Sequence, residues 1–243
     1  MWEALALGFS PPTAETVTRL ASDEGAQALA AAAALLDVDQ TAGLAARALR
    51  LARPDGVDDI EDSFQRLFGH TARGAVSPYE TEYGEDSLFL PAQEMSDLAA
   101  FYRAFGLTVN AAAHERLDHM ACQCEFLMIL ARKEAYFLER DDAALAEAAG
   151  RAARLFLKDH LGRWAPAFAG KLARTDPDGF YGALGDLCGA VVTQECARLG
   201  VAIGPEFLRL RSPLLADAPM ACAPADALPE IPLTLPSPPG GRG

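Results

Sequence analysis

Residues 177–199, PDGFYGALGDLCGAVVTQECARL, carry two apolar stripes at once. Phe180, Leu184, Leu187 and Val191 follow one helical spacing, and Cys188, Val192, Cys196 and Leu199 follow a second. A helix with one side in water needs only one stripe, so two stripes predict a helix enclosed on more than one side. The rest of the chain offers partners with the same period. Residues 13–53 are rich in Ala and Leu and hold few breakers. Ile60, Phe64, Leu67 and Phe68 line up on one face and end at Gly69, a C-terminal stop. Met95, Leu98, Tyr102 and Phe105 form another stripe, with Pro91 at its start and Gly106 at its end. Residues 113–138 read as one long helix. Asp141 or Asp142 can cap a further one that carries Leu161, Trp164, Phe168 and Leu172, and Pro166 predicts a kink or interruption in it. Sustained period-two alternation is absent. The expected fold is all-α: a single helical-bundle domain over residues 1–210, with no internal repeat.

Two segments depart from that pattern. Residues 69–90, GHTARGAVSPYETEYGEDSLFL, read as a long loop, and loops of this length inside compact domains are often functional. Residues 211–243 form a Pro- and Gly-rich tail ending LPSPPGGRG, too poor in apolar surface to bury a core and expected to be disordered. Charge is unevenly placed as well. The chain has 34 acidic and 21 basic residues, for a formal net charge of -13. Residues 55–97 hold eleven of the acids and only two bases, Arg66 and Arg73. Phosphate binding needs a basic face, so nucleic acid is not an expected partner. An acidic face centred on a loop fits a basic partner, and equally fits a solubility charge.

The N-terminus, MWEALALGFSPP, lacks a positive leader region, and no apolar run is long enough to span a bilayer. Stable membrane insertion is therefore not expected. Cysteines at 122, 124, 188, 196 and 222 are odd in number and irregular in spacing, which suits a reducing cytoplasm better than a disulfide framework.

Chemistry-bearing residues concentrate in ERLDHMACQCEFLMIL, residues 115–130. If this stretch is helical, Cys122 and Cys124 lie about 200° apart and cannot share a metal. Cys188 and Cys196 are separated by roughly 12 Å at ~1.5 Å rise per residue. All four read best as small buried hydrophobes. Asp118 and His119 would sit about 100° apart on a helix, so the carboxylate cannot orient the imidazole as in a catalytic triad. His114 and Asp118 are four apart and could meet. Neither a phosphate-binding glycine loop nor a nucleophile elbow is present. Expected cofactors and metals are none. Placed at the exposed start of a buried helix, Asp118 and His119 suit binding better than turnover: a carboxylate for a guanidinium or ammonium, an imidazole as donor or acceptor.

Four segments, in order, give the chain a family resemblance. They are FQRLFGH (64–70), SPYETEYG (77–84, with Thr81 where Ser is usual), ERLDHMACQCEFLMIL (115–130), and FLKDHLGRWAPAF (156–168) followed by FYGAL (180–184). Together they resemble the TorD/DmsD/NarJ family of cytoplasmic redox-enzyme maturation chaperones, and most of all the branch serving type II dimethyl-sulfoxide-reductase-like enzymes. The resemblance covers about residues 1–200. It implies an all-α fold of the TorD-like type. It also implies binding of the twin-arginine signal peptide and apo form of a molybdopterin-dependent oxidoreductase, until the cofactor is inserted. Carried over residue by residue, Asp118 and His119 match the family's Asp-His pair for signal-peptide binding. Tyr79, Glu80 and Tyr83 match its loop, and Leu67 and Phe68 the apolar end beside it. Asp118, with Glu80 or Glu82, is the expected contact for the arginine pair. The protein is expected to be a monomer or dimer. Two other readings stay open: a helical metal-dependent hydrolase using His114, Asp118 and His119, and a generic helical adaptor.

Overall fold

The computed structural model describes residues 1–37, 39, 41–52, 56–69, 74–86, 90–107 and 115–211. Among these residues the fold is all-α, with two isolated β-bridges and no sheet. The helices are α1 (Trp2–Phe9), α2 (Ala14–Thr16), α3 (Asp23–Leu36), α4 (Leu44–Leu49), α5 (Val57–Phe68), α6 (Leu90–Ala104), α7 (Met120–Leu138), α8 (Ala143–Phe156), α9 (Gly162–Thr175) and α10 (Phe180–Arg198). None of the described helices is long and apolar enough to cross a membrane. His70, Arg73, His114 and the tail beyond Arg211 lie outside the described residues.

Helix α10 is the hub, and both of its stripes are buried. Phe180, Leu184, Leu187 and Val191 pack inward, and so do Cys188, Val192 and Cys196. It packs against α9, α4, α1 and α5. Asp176, just before it, accepts a hydrogen bond from the Gly182 amide at 3.3 Å, which satisfies a first-turn donor. Helix α5 runs from Val57 to Phe68 and stops at Gly69, whose φ of +82° only glycine adopts freely. Its Ile60, Leu67 and Phe68 are buried. Residues 13–53 divide into α2, a π-helical turn at Val17–Ala21, α3 and α4.

Pro166 does not interrupt its helix. Asp142 caps α8, accepting from Leu145 at 3.1 Å, and the interruption comes instead at a π-helical turn, Leu157–Leu161, before α9. Helix α9 runs through Pro166. Proline has no amide hydrogen for the carbonyl four residues back, at Gly162. That carbonyl accepts from the amide of Gly204 at 2.9 Å instead. The approach is close: a Cβ at Gly204 would stand 2.2 Å from the Arg163 carbonyl oxygen. The proline thus creates the acceptor that draws the C-terminal segment onto α9.

From there the C-terminal segment, residues 201–211, runs to the loop at 79–86. Gly84 donates to the Arg209 carbonyl at 2.9 Å and Arg211 donates to the Glu82 carbonyl at 2.8 Å. Arg211 is buried and forks onto the buried Glu94 of α6, at 2.8 and 3.1 Å. The last described residue therefore belongs to the packed structure.

The expected long helix over 113–138 is shorter than its periodicity suggests. Helix α7 begins at Met120, and residues 115–119 form a turn ahead of it. The reason is competition for backbone partners. The Asp118 carbonyl accepts from Glu80 at 3.0 Å, and Met120 donates to the Pro78 carbonyl at 2.8 Å. Tyr79 and His119 are bridged antiparallel. These extended-chain bonds to the loop replace the helical ones.

Candidate functional site

The Asp-His turn and the loop meet as one polar cluster at the head of α7. Asp118 is fully buried, at 0% exposure. Its Oδ2 accepts from the Thr81 amide at 3.2 Å and from the Thr81 hydroxyl at 2.8 Å, so it pins the 3-10 turn Glu80–Glu82. Arg116 closes the cluster from outside. Its Nε donates to Asp118 Oδ1 at 3.0 Å and its Nη2 to Oδ2 at 2.8 Å. The same Nη2 donates to the Thr81 hydroxyl at 2.8 Å, and the guanidinium lies 4.2 Å over the Tyr79 ring.

The expected exposed Asp-His start is therefore buried. His119 is 3% exposed and caps α7, its Nδ1 accepting from the Ala121 amide at 3.1 Å. That bond leaves Nδ1 unprotonated and places the ring proton on Nε2, which lies 4.0 Å from a Glu115 carboxylate oxygen. Burial pushes the His119 pKa below its ordinary 6.5, with Glu115 and Asp118 opposing the shift. The folded chain then binds this proton less readily than the unfolded chain, so His119 withdraws stability as pH falls through about 6.5. Asparagine at the same position can keep the cap without titrating. His119→Asn is expected to lose less stability than wild type between pH 7.5 and 5.5, as read from urea unfolding at both values. A parallel loss in the two proteins would count against it.

Beneath this turn lies a second buried network. Glu80 accepts from the Gln123 side chain at 2.5 Å and pairs with His160 Nδ1 at 3.1 Å. Gln123 in turn accepts from the Trp164 indole at 3.3 Å. Burial pushes the Glu80 carboxyl upward, while the His160 hydrogen bond pulls it back. His160 stands in the π-helical turn between α8 and α9, a type of irregularity often found where a side chain has a particular job. Tyr83 is buried against Trp164, with ring centroids 5.2 Å apart, and its hydroxyl donates to the Ser77 carbonyl at 2.8 Å. Leu67 and Phe68 lie in the core, where Phe68 meets the Phe64, Phe168 and Tyr181 rings.

The structure thus brings Tyr79, Glu80, Asp118 and His119 together, with Tyr83 buried along the same loop. Leu67 and Phe68 stand apart from them in the core. Sequence reasoning missed Arg116, Thr81, Gln123 and His160 as parts of this cluster. Arg116 had a local signal, a cation two residues before Asp118, and Thr81 and His160 lie in the loop and late-helix segments that carry the resemblance.

Beside the cluster, between α1 and α7, runs a groove of about 530 Å³. Ala6, Leu7, Pro11, Ala121 and Met128 supply apolar surface; Glu115, His119, Cys122 and Glu125 line the α7 side, and Arg19 and Arg132 at the rim are both paired with Glu3. Cys122 and Cys124 face different surroundings, as their spacing predicts: Cys122 borders this groove and Cys124 is fully buried. Burial pushes the Cys122 thiol up to about 12, so it is a poor nucleophile there. Among the described residues, no group of three or more His, Cys, Asp or Glu converges to hold a metal.

Comparison with known proteins gives the fold a lineage. The family model described as nitrate reductase delta subunit matches residues 22–170, more than half of the chain. The chain is 31% identical over 145 residues to the chaperone protein TorD of Vibrio cholerae, covering 59% of this chain and 63% of that one. It is 34% identical over 152 residues to the chlorate reductase assembly chaperone protein of Ideonella dechloratans, covering 60% and 72%. With the selenate reductase assembly chaperone protein of Thauera selenatis the identity is 32% over 132 residues, covering 53% and 63%. The matched region thus falls just short of two thirds of the TorD length.

Proposed function

The chain belongs to the nitrate reductase delta subunit family, which takes in the TorD and NarJ chaperones, and from that membership we propose that it is a system-specific maturation chaperone. It binds the twin-arginine signal peptide and apo form of a molybdopterin-dependent oxidoreductase in the cytoplasm, holds them while the cofactor is inserted, and performs no turnover of its own. The names of its relatives support this reading: one is a TorD chaperone, and two others are assembly chaperones for chlorate and selenate reductases.

The observation that carries the proposal is the α1–α7 groove at the Asp-His turn. A twin-arginine peptide presents guanidiniums followed by an apolar helix-former, and its receptor needs carboxylates beside an apolar trough. The groove offers both, with Glu115 and Glu125 next to Leu7, Pro11 and Met128. Asp118, His119 and Tyr79 stand at its head, and the loop residues Glu80 and Tyr83 hold that head in shape. A hydrolase built on Asp118 and His119 is less well supported. Both Asp118 oxygens are held by Arg116 and Thr81, and His119 Nδ1 by Ala121.

Calorimetric titration with a synthetic twin-arginine signal peptide tests the reading. Saturable binding that weakens with added salt is expected. A twin-lysine version should bind about tenfold more weakly, or ~1.4 kcal/mol. No binding at low salt would overturn the proposal.

A further inference from the structure

We infer that the notch formed by Asp118, Thr81 and Tyr79 is a seat for a partner's arginine side chain, and that Arg116 is its resting occupant, displaced when that arginine arrives. This rests on the reading that the partner is an arginine-bearing peptide. It adds which groups hold the guanidinium and what must leave first.

The contacts are those that separate a guanidinium from an ammonium. Arg116 forks onto both oxygens of Asp118, at 3.0 and 2.8 Å, a geometry that lysine cannot reproduce. A third bond reaches the Thr81 hydroxyl at 2.8 Å, and the plane stacks 4.2 Å over Tyr79. Glu82 adds a carboxylate oxygen 3.6 Å away. Hydroxyl, carboxylate and ring come from two separate segments, so the tertiary fold builds the seat.

The two partners are unequal. The Asp118 side chain is 0% exposed and that of Arg116 is 43% exposed. A fully desolvated carboxylate is thus covered by a half-solvated cation. Losing the cation altogether would strand a buried charge, whereas exchanging it for another guanidinium keeps every bond. Arg116 can swing into water without moving Asp118, because it is anchored two residues away on a turn outside α7.

Position fits exchange as well. The Tyr79 ring, one wall of the seat, meets the His119 ring at 5.2 Å, and His119 lines the α1–α7 groove. A peptide whose arginine takes the seat can lay the apolar residues beside it over Leu7, Ala121 and Met128. Arg116 then acts as an internal competitor that lowers the apparent affinity for every such peptide by the fraction of time it fills the seat.

The test compares wild type with Arg116→Ala. N-acetyl-arginine amide should raise the melting temperature of Arg116→Ala more than that of wild type, and N-acetyl-lysine amide should not. The twin-arginine peptide should bind Arg116→Ala about tenfold more tightly than wild type, by release of the competitor. Should the alanine variant not fold, Arg116→Gln keeps a donor for Asp118 and carries the same comparison. Where wild type binds the peptide, equal or weaker binding by the variant would overturn the inference, and so would equal stabilisation by the two amides in any case. If wild type binds the peptide and the variant gains nothing, the seat is wrong and the chaperone reading stands. If arginine amide rescues the variant while neither protein binds the peptide, the seat stands and that reading fails.

Discussion

Arg211→Ala is expected to cost about 3–5 kcal/mol of stability, the usual penalty for removing one partner of a buried ion pair. Arg211 and Glu94 are 5% and 8% exposed, and the arginine also donates to the carbonyls of Thr81 at 2.6 Å and Glu85 at 3.0 Å. Alanine leaves the Glu94 carboxylate buried without its cation. It also frees the loop carbonyls and loosens the C-terminal segment that Gly204 anchors on α9. Urea unfolding measures the loss. The double change Arg211→Met with Glu94→Leu should recover a good part of it, since an apolar pair of similar volume needs no charge partner. A loss below about 1 kcal/mol in the single variant would show that the pair does not secure the loop. The loop carries Tyr79, Glu80 and Thr81, so the same variant should weaken peptide binding through the Thr81 carbonyl that Arg211 holds.

Asp118→Ala is the second large effect, expected to remove about 2–4 kcal/mol, because it leaves the buried Thr81 amide and hydroxyl without an acceptor. Arg116 is half-exposed and finds water, so little is added from its side. Lost peptide affinity in this variant is therefore ambiguous between a lost charge contact and a misplaced loop. Asp118→Asn separates the two. An amide oxygen still accepts from Thr81, but it no longer pairs with a guanidinium charge. Stability should fall by only about 1 kcal/mol, while affinity for the twin-arginine peptide falls as far as in the alanine variant. If the asparagine variant binds as well as wild type, Asp118 does not meet a guanidinium and its work is confined to the loop.

The two kinds of contact differ in how visible they are along the chain. The double stripe of α10 announced a buried hub because its periodicity is local and repeats over five turns. Gly69 announced the end of α5 because a left-handed backbone is a single-residue requirement. The opposite surroundings of Cys122 and Cys124 followed from helix geometry alone. The start of α7 was misread because 113–119 has no helix breaker. Its backbone is taken instead by a loop nearly forty residues earlier, through Glu80 to Asp118 and Met120 to Pro78. The interruption expected at Pro166 does not occur. The proline's missing hydrogen bond is made good by Gly204, which no local rule could anticipate.

The candidate site divides along the same line. The sequence by itself determined an all-α bundle, an acidic stretch between two helices, and the Asp118–His119 pair as the place to look, since residue type and period act within a few residues. Tertiary structure alone decided that the pair is buried, that Glu80 is locked to His160 eighty positions away, and that Arg211 reaches Glu94 across 117. It also decided that Arg116 fills the notch between Asp118, Thr81 and Tyr79. Those outcomes depend on which buried charge is neutralised by which distant side chain. Coulomb attraction and desolvation act through space, where separation along the chain sets no limit.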